Sequence, residues 1–374
     1  MNGRGIKLFR AFGFRVGIDP SWIVLAVLVA WTLSTGFFPF YFRDLSTATY
    51  WIMGLIGTLG LFVSIVVHEF FHSLVARSRG VPIKGITLFI FGGMAEMHKE
   101  PLRARDEFWI AAVGPVSSLA MAGIFYTLAV MSRSWSVAGS AVFQYLGMIN
   151  LLLALFNLIP AYPMDGGRIL RAALWGWKGD MRWATRIASR IGVLFGGLLM
   201  VFGGLRFLSG AFLNGMWLFL IGLFIRGAAK ASYQQLVTRR ALEGEPLDRF
   251  MKSDPVTVPP QMNIGQLVNE YFLKQNFKLY PVVEGDRLIG CITTGQVKEV
   301  PREEWPNRTV AEIVAQCSPE NTIEPRTDAV EALAAMRRNN TSRLMVVRDN
   351  RLLGVVTLKD MLDFLSMKIE LEEA

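Results

Sequence analysis

Two histidines and a glutamate, in the order His68-Glu69-Phe70-Phe71-His72, interrupt a run that is otherwise almost entirely apolar, Leu61-Phe62-Val63-Ser64-Ile65-Val66-Val67 standing just before them. In a helix, positions four apart differ by only ~40° at ~100° per residue, so both imidazoles face one direction and can chelate one metal ion. Glu69 stands one step round, beside the place of a water held by that metal. Zinc polarises water there, and the glutamate takes its proton and later passes it to a leaving amine. On a soluble helix the same pattern is a solvated charged face. Within an apolar helix that reading fails, because each ionisable residue costs roughly 2.5–3.5 kcal/mol to insert and such residues mark functional sites.

A catalytic zinc needs a third protein ligand and an open fourth position. The candidate is Asp165, within Asn157-Leu158-Ile159-Pro160-Ala161-Tyr162-Pro163-Met164-Asp165-Gly166-Gly167. Two prolines and two glycines interrupt the helix here, which frees backbone groups and lets an extended strand bring Asp165 beside the histidines.

The elements that must position these residues are apolar. Of the 374 residues 52% are hydrophobic and only 18% charged, which points to a membrane protein. Six apolar segments lie at about 22–41, 51–76, 108–131, 137–160, 190–208 and 211–226, the last two shorter than the roughly 20 residues a spanning helix usually needs. Basic residues cluster after segments two, four and six, as with Arg77, Arg79, Lys84, then Arg168, Arg171, Lys178, then Arg226, Lys230, Arg239. The alternate loops offer only Arg43, Arg133 and none, so the positive-inside rule predicts six crossings with both termini cytosolic. His68 and Asp165 then lie toward the cytosolic ends of their segments and can meet at one depth.

The N-terminal stretch, with four basic residues and no acidic ones among the first fifteen, reads as a retained cytosolic segment and not a signal peptide. Between segments two and three, Val81-Pro82-Ile83-Lys84-Gly85-Ile86-Thr87-Leu88-Phe89-Ile90-Phe91-Gly92-Gly93-Met94-Ala95-Glu96-Met97 is apolar, β-branched and aromatic and too short to span, which suggests a hairpin or loop embedded in the membrane, the alternative being an interfacial loop lying on its surface. His98 follows it among charges and is an interfacial residue, not a ligand. The net charge of +9 is spread between apolar runs, so it reads as topology and no nucleic acid is expected. Cys291 and Cys317, the two cysteines, read as ordinary buried thiols of a reducing compartment.

After about residue 245 charges become frequent, and two stretches of roughly 60 residues each read strand, helix, strand, turn, strand, helix, which implies two similar modules packed together. The expected division is 1–230 for the membrane domain, 231–246 for a linker, and 247–306 and 307–374 for the two modules.

His68-Glu69-Phe70-Phe71-His72 in an apolar helix, followed about 90 residues later by Asn157-Leu158-Ile159-Pro160-Ala161-Tyr162-Pro163-Met164-Asp165-Gly166-Gly167-Arg168, resembles the site-2 protease family of intramembrane zinc metalloproteases. The resemblance implies His68, His72 and Asp165 as zinc ligands and Glu69 as catalytic base. It also implies a role for Asn157, which could hydrogen-bond the substrate backbone or the oxyanion, or serve as an interhelical packing bond. A Gly-Pro-x-x-Asn pattern often found in that family reads Gly114-Pro115-Val116-Ser117-Ser118 here. The departure at Ser118 touches a position expected to be structural, not chemical.

The repeat resembles a tandem pair of CBS domains (a Bateman module), which elsewhere bind adenine nucleotides and tend to dimerise. Thr357 and Asp360 match the ribose-contacting pattern in the second copy, whereas Gln296 stands where an aspartate is expected in the first. The resemblance thus implies one good nucleotide site at most, or a purely structural dimerisation module. The fold expected is a polytopic α-helical membrane protein with six transmembrane segments and an embedded hairpin or loop, followed by a cytosolic α/β tandem CBS module. The resemblance implies a prokaryotic cell-membrane enzyme in the lipid bilayer, acting on single-span transmembrane proteins, whose helices must unwind locally to expose a peptide bond. The rivals are a CBS-gated metal transporter or channel and a proteolytically inactive scaffold. Glu69 separates the first, since transport needs ligands but no base, and the full set of His68, Glu69, His72 and Asp165 argues against the second.

Overall fold

Asp19 accepts a hydrogen bond from the Ser21 amide at 2.9 Å and Pro20 takes the first helical position, so the first apolar run enters its helix already capped. In the computed structural model this helix, α1 (Pro20–Thr32), passes through a π turn, Leu33–Phe37, into α2 (Phe38–Tyr41). Ser46 caps α3 (Thr47–Ser78), whereas α4 (Ala104–Ser132) starts with no side-chain cap. Ser136 caps α5 (Val137–Asn157), α6 (Asp165–Lys178) follows a turn, and Asp180 caps α7 (Met181–Leu208) before α8 (Phe212–Leu242). All residues are described except 1–5, 12, 13, 82, 90, 91, 98–100, 276, 286, 340 and 374. Two units can be distinguished, Gly3–Gln235 and Leu236–Ala374.

Among the described residues, six stretches are long and apolar enough to cross a membrane: Pro20–Tyr41, Thr47–Ser78, Ala104–Ser132, Val137–Asn157, Met181–Leu208 and Phe212–Leu242. The last two, expected to be short, have 28 and 31 residues, because the helices run on past their apolar stretches into charged turns. Val24, Val27, Leu59, Val63, Val130, Val201 and Leu205 are exposed, while Ser64, His68, His72, Ser73, Ser118 and Asn150 are buried. Apolar groups outside and polar groups inside reverse the pattern of a protein in water and suit a bundle whose solvent is lipid. Close packing then holds the helices: Leu33 and Phe38 meet Met53 of α3 and Ala141, Val142, Tyr145 and Leu146 of α5.

The expected hairpin exists as β3 (Ile83–Phe89) and β4 (Gly92–Met97), paired antiparallel with Thr87 opposite Met94. It belongs to a larger sheet. Ahead of the first span β1 (Ile6–Ala11) and β2 (Phe14–Ile18) pair antiparallel, and β2 runs parallel to β3 with Val16 opposite Ile86, giving the order β1-β2-β3-β4.

The stretch 231–246, expected as a linker, is helical through Leu242. A 3-10 turn, Leu247–Phe250, leads to β5 (Met251–Lys252). The first repeat continues with α9 (Ile264–Gln266), a π turn, α10 (Leu273–Gln275), β6 (Leu279–Glu284), β7 (Arg287–Thr293) and α11 (Thr294–Lys298). The second has α12 (Val310–Ile313), β8 (Ala315–Gln316), β9 (Thr322–Ile323), α13 (Ala329–Arg338), β10 (Arg343–Arg348), β11 (Arg351–Thr357) and α14 (Leu358–Glu373).

One sheet joins both repeats, with central order β6-β7-β11-β10-β9. The repeats exchange their leading strands, β5 pairing with β11 and β8 with β7. The cores follow the exchange. Leu242, Leu247 and Phe250 pack with Leu333, Met336 and Val356 of the second repeat, while Val310 packs with Ile264, Tyr280 and Ile292 of the first. Packing therefore crosses the boundary expected between 306 and 307. Both cysteines are free thiols, and burial pushes both upward in pKa, away from reactivity.

Candidate metal centre

His68 and His72 lie one turn apart on α3, their Nε2 atoms 3.1 Å from each other and each 3.1 Å from Oδ2 of Asp165. All three residues are buried. What aims the imidazoles is α4. The Nδ1 atom of His72 is 2.5 Å from the carbonyl of Ile110, and that of His68 is 2.9 Å from the Ser118 hydroxyl. Between these contacts stands Gly114, where a Cβ would run into both imidazoles. Positions 110, 114 and 118 form one stripe, so a single face of α4 backs both rings.

A carbonyl can only accept, so Nδ1 of His72 donates to Ile110 and Nε2 of the neutral ring is left as a bare lone pair. That lone pair faces a carboxylate oxygen and a second imidazole nitrogen. With both rings neutral, these acceptors are placed to share a cation. Bonds of ~2.0–2.1 Å at tetrahedral angles set neighbouring donor atoms ~3.3 Å apart, close to the separations of 3.1 Å seen here. The three residues fit zinc.

Asp165 is not on an extended strand, as the sequence suggested, but is the first residue of α6. Residues 158–164 instead make turns, with amides of Ala161 and Met164 bonded to carbonyls of Ile159 and Ala161. A Cβ at Gly166 or Gly167 would strike the backbone of Leu158 or Ala161, so the two glycines let the turn fold tightly against the helix it starts. Glu69 is half-buried next to His68, and its carboxylate has no hydrogen bond to any described residue. Asn157 ends α5, half-buried, with its side chain equally free of such bonds among the described residues. His98 lies outside the described residues.

Three functional candidates escaped the sequence reading. Ser118, read as structural, touches His68. Asn150, not Asn157, makes the interhelical bond, from its Nδ2 to Ser64 Oγ at 2.9 Å; a polar residue seven positions before Asn157 in an apolar run was the available signal. Glu107, fully buried, pairs with Arg171, and the signal there was an acid leading directly into an apolar segment.

The profile of peptidase family M50 matches residues 56–138 and 132–201, and that of the CBS domain matches 247–303 and 310–367. The chain is 35% identical to sll0528 of Synechocystis sp. across 92% of its own length and 90% of that protein. The chain belongs to peptidase family M50. It is also 31% identical to the zinc metalloprotease MJ0392 of Methanocaldococcus jannaschii over 98% of both chains. Among solved structures it is similar to a site-2 protease from Methanocaldococcus jannaschii, at 31% identity over 61% of this chain and 94% of that one, with a TM-score of 0.43. This M50 member is thus an integral membrane zinc metalloprotease that carries a pair of CBS domains.

In its second CBS domain Thr357 Oγ1 donates to Asp360 Oδ2 at 2.6 Å, and Lys252 Nζ lies 3.2 Å from Oδ1. In the first, Gln296 is used up structurally: its oxygen accepts from the amide and hydroxyl of Thr293, and its nitrogen donates to the carbonyl of Ile313, each at 2.8 Å.

Proposed function

We propose that the protein hydrolyses peptide bonds within the membrane-spanning segments of single-span proteins, near the cytosolic face, with His68, His72 and Asp165 holding zinc. The observation that supports this best is the convergence of three acceptor atoms inside an apolar bundle, two of them on imidazoles pinned through Nδ1. Zinc bound there supplies a water acidic enough to act as nucleophile at neutral pH. Glu69, beside the histidines and without a competing hydrogen bond among the described residues, accepts the proton on its carboxylate and returns it to the leaving nitrogen. Asn157 donates its carboxamide N–H to the carbonyl oxygen of the scissile bond, where negative charge develops. The basic residues after the second, fourth and sixth spans favour cytoplasmic termini.

The CBS pair regulates this activity, with Thr357 and Asp360 binding the ribose of an adenine nucleotide and the pair serving as a dimer contact. The test is to add a panel of single-span candidates to the purified protein with and without chelator. Cleavage within an apolar segment, abolished by chelator and restored by zinc, is expected. Cleavage that persists in the chelated protein would overturn the reading.

A further inference from the structure

Glu107, one turn before Ile110 on α4, is fully buried, and Arg171 of α6 is 4% exposed. Arg171 donates through Nε to Oε1 of Glu107 at 2.8 Å and makes a second contact to the same oxygen through its terminal nitrogen. Arg168 stands 3.9 Å from that oxygen. The Arg171 guanidinium also lies over the ring of Tyr162, 5.1 Å from its centroid, in the turn that precedes Asp165. Oε2 of Glu107 has no partner among the described residues. A buried carboxylate with one oxygen unbonded is a poor way to stabilise a fold, since apolar residues of similar volume serve as well or better. What the pair does offer is direction.

We propose that Glu107 and Arg171 are positioning residues for the metal centre: the pair fixes the helix that presents Asp165 to the helix that aims His68 and His72. The inference rests on reading those three residues as zinc ligands. The face of α4 that carries Ile110, Gly114 and Ser118 continues to Glu107, one turn nearer the helix start, so the same rigid element grips both imidazoles at one place and α6 at another. Arg171 lies six residues beyond Asp165 on the same helix, and through Tyr162 it also steadies the turn leading into Asp165. A ligand carboxylate must be held within about 0.5 Å of its working place, and the Glu107 carboxylate, reached by Arg171 and Arg168 together, ties α6 to α4 six and three residues beyond that ligand.

The test uses the full chain in detergent, measuring zinc affinity by competition with a chromophoric chelator, the absorption spectrum of the cobalt-substituted protein, and the melting point of the metal-free protein. Glu107→Gln and Arg171→Met are expected to weaken zinc about 10–100-fold and to alter the cobalt spectrum, with Arg171→Lys recovering most of the affinity. Those changes should appear in variants whose metal-free form melts cooperatively. If Arg171→Met does not fold, the near-isosteric Glu107→Gln decides. Zinc affinity and cobalt spectrum unchanged in folded Glu107→Gln would overturn the proposal. Asp165→Ala is the control: if it binds zinc as tightly as the wild type, the ligand assignment has failed and not the clamp.

Discussion

The hydroxyl of Ser118 and Nδ1 of His68 lie 2.9 Å apart, so a helix with no candidate ligand of its own sets the direction in which a candidate ligand points. Removing such a partner weakens metal binding by about 10–100-fold in known sites. Ser118→Ala is expected to fall in that range in a chelator competition, and Ser118→Asn to retain most of the affinity, because its amide can make the same bond. Equal affinity in wild type and Ser118→Ala would reduce the contact to packing.

Gly114→Ala should abolish zinc binding, because the added methyl would occupy the space of the His72 imidazole and lie 2.7 Å from Nε2 of His68. Gly123, on the same helix, has nothing within 4 Å of the corresponding point. Gly123→Ala should therefore keep full zinc content by elemental analysis, and the pair of variants separates a local clash from a general effect of alanine.

Glu69→Gln is expected to keep zinc and lose cleavage by about 10²–10⁴-fold, the range of a general base, because the amide cannot accept the proton. Turnover near wild type with stoichiometric metal would remove Glu69 from the mechanism.

Asn157→Ala should retain zinc but turn over about 10²-fold more slowly if its amide stabilises the developing oxyanion. The side chain bonds to none of the described residues, so its loss is expected to leave the melting point unchanged. A lowered melting point with normal turnover would assign it to packing instead.

At the CBS pair, Asp360→Ala should weaken adenine-nucleotide binding to residues 236–374 more than tenfold in calorimetry if its carboxylate is the acceptor for both ribose hydroxyls. Lys252 occupies one oxygen of that carboxylate. Lys252→Ala should strengthen adenosine binding and weaken ATP, because the same amine competes with ribose but attracts phosphate. Identical changes for both ligands would rule out that division.

The candidate ligands stand out in the sequence because their signal is categorical: an ionisable group in an apolar run requires a reason, and two histidines four apart share a face. Their surroundings are not. Ser118 and Ile110 act through a hydroxyl and a main-chain carbonyl, and nothing in their types distinguishes them from many similar positions. Asp165 stands out as a residue while its local structure does not. Prolines and glycines state that regular structure breaks, but whether an extended segment or a tight turn follows depends on how Gly166 and Gly167 meet Leu158 and Ala161. The hairpin at 83–97 is visible from β-branched and aromatic residues around glycines, whereas its partner at 6–18 is hidden because strand pairing across that separation leaves no local mark.

The exchange of β5 and β8 means that the two CBS repeats cannot be separated without damage to both. A chain cut after residue 306 would carry β5 without β11 to pair it, and its complement would carry β8 without β7. Each half would expose an unmatched edge and an unfilled core, the first lacking Val310 and the second lacking Leu247 and Phe250. Two copies of one pattern are written in the chain, yet the shared strands and cores predict that the pair melts, refolds and is degraded as one body, so that a lesion in either repeat is felt by both.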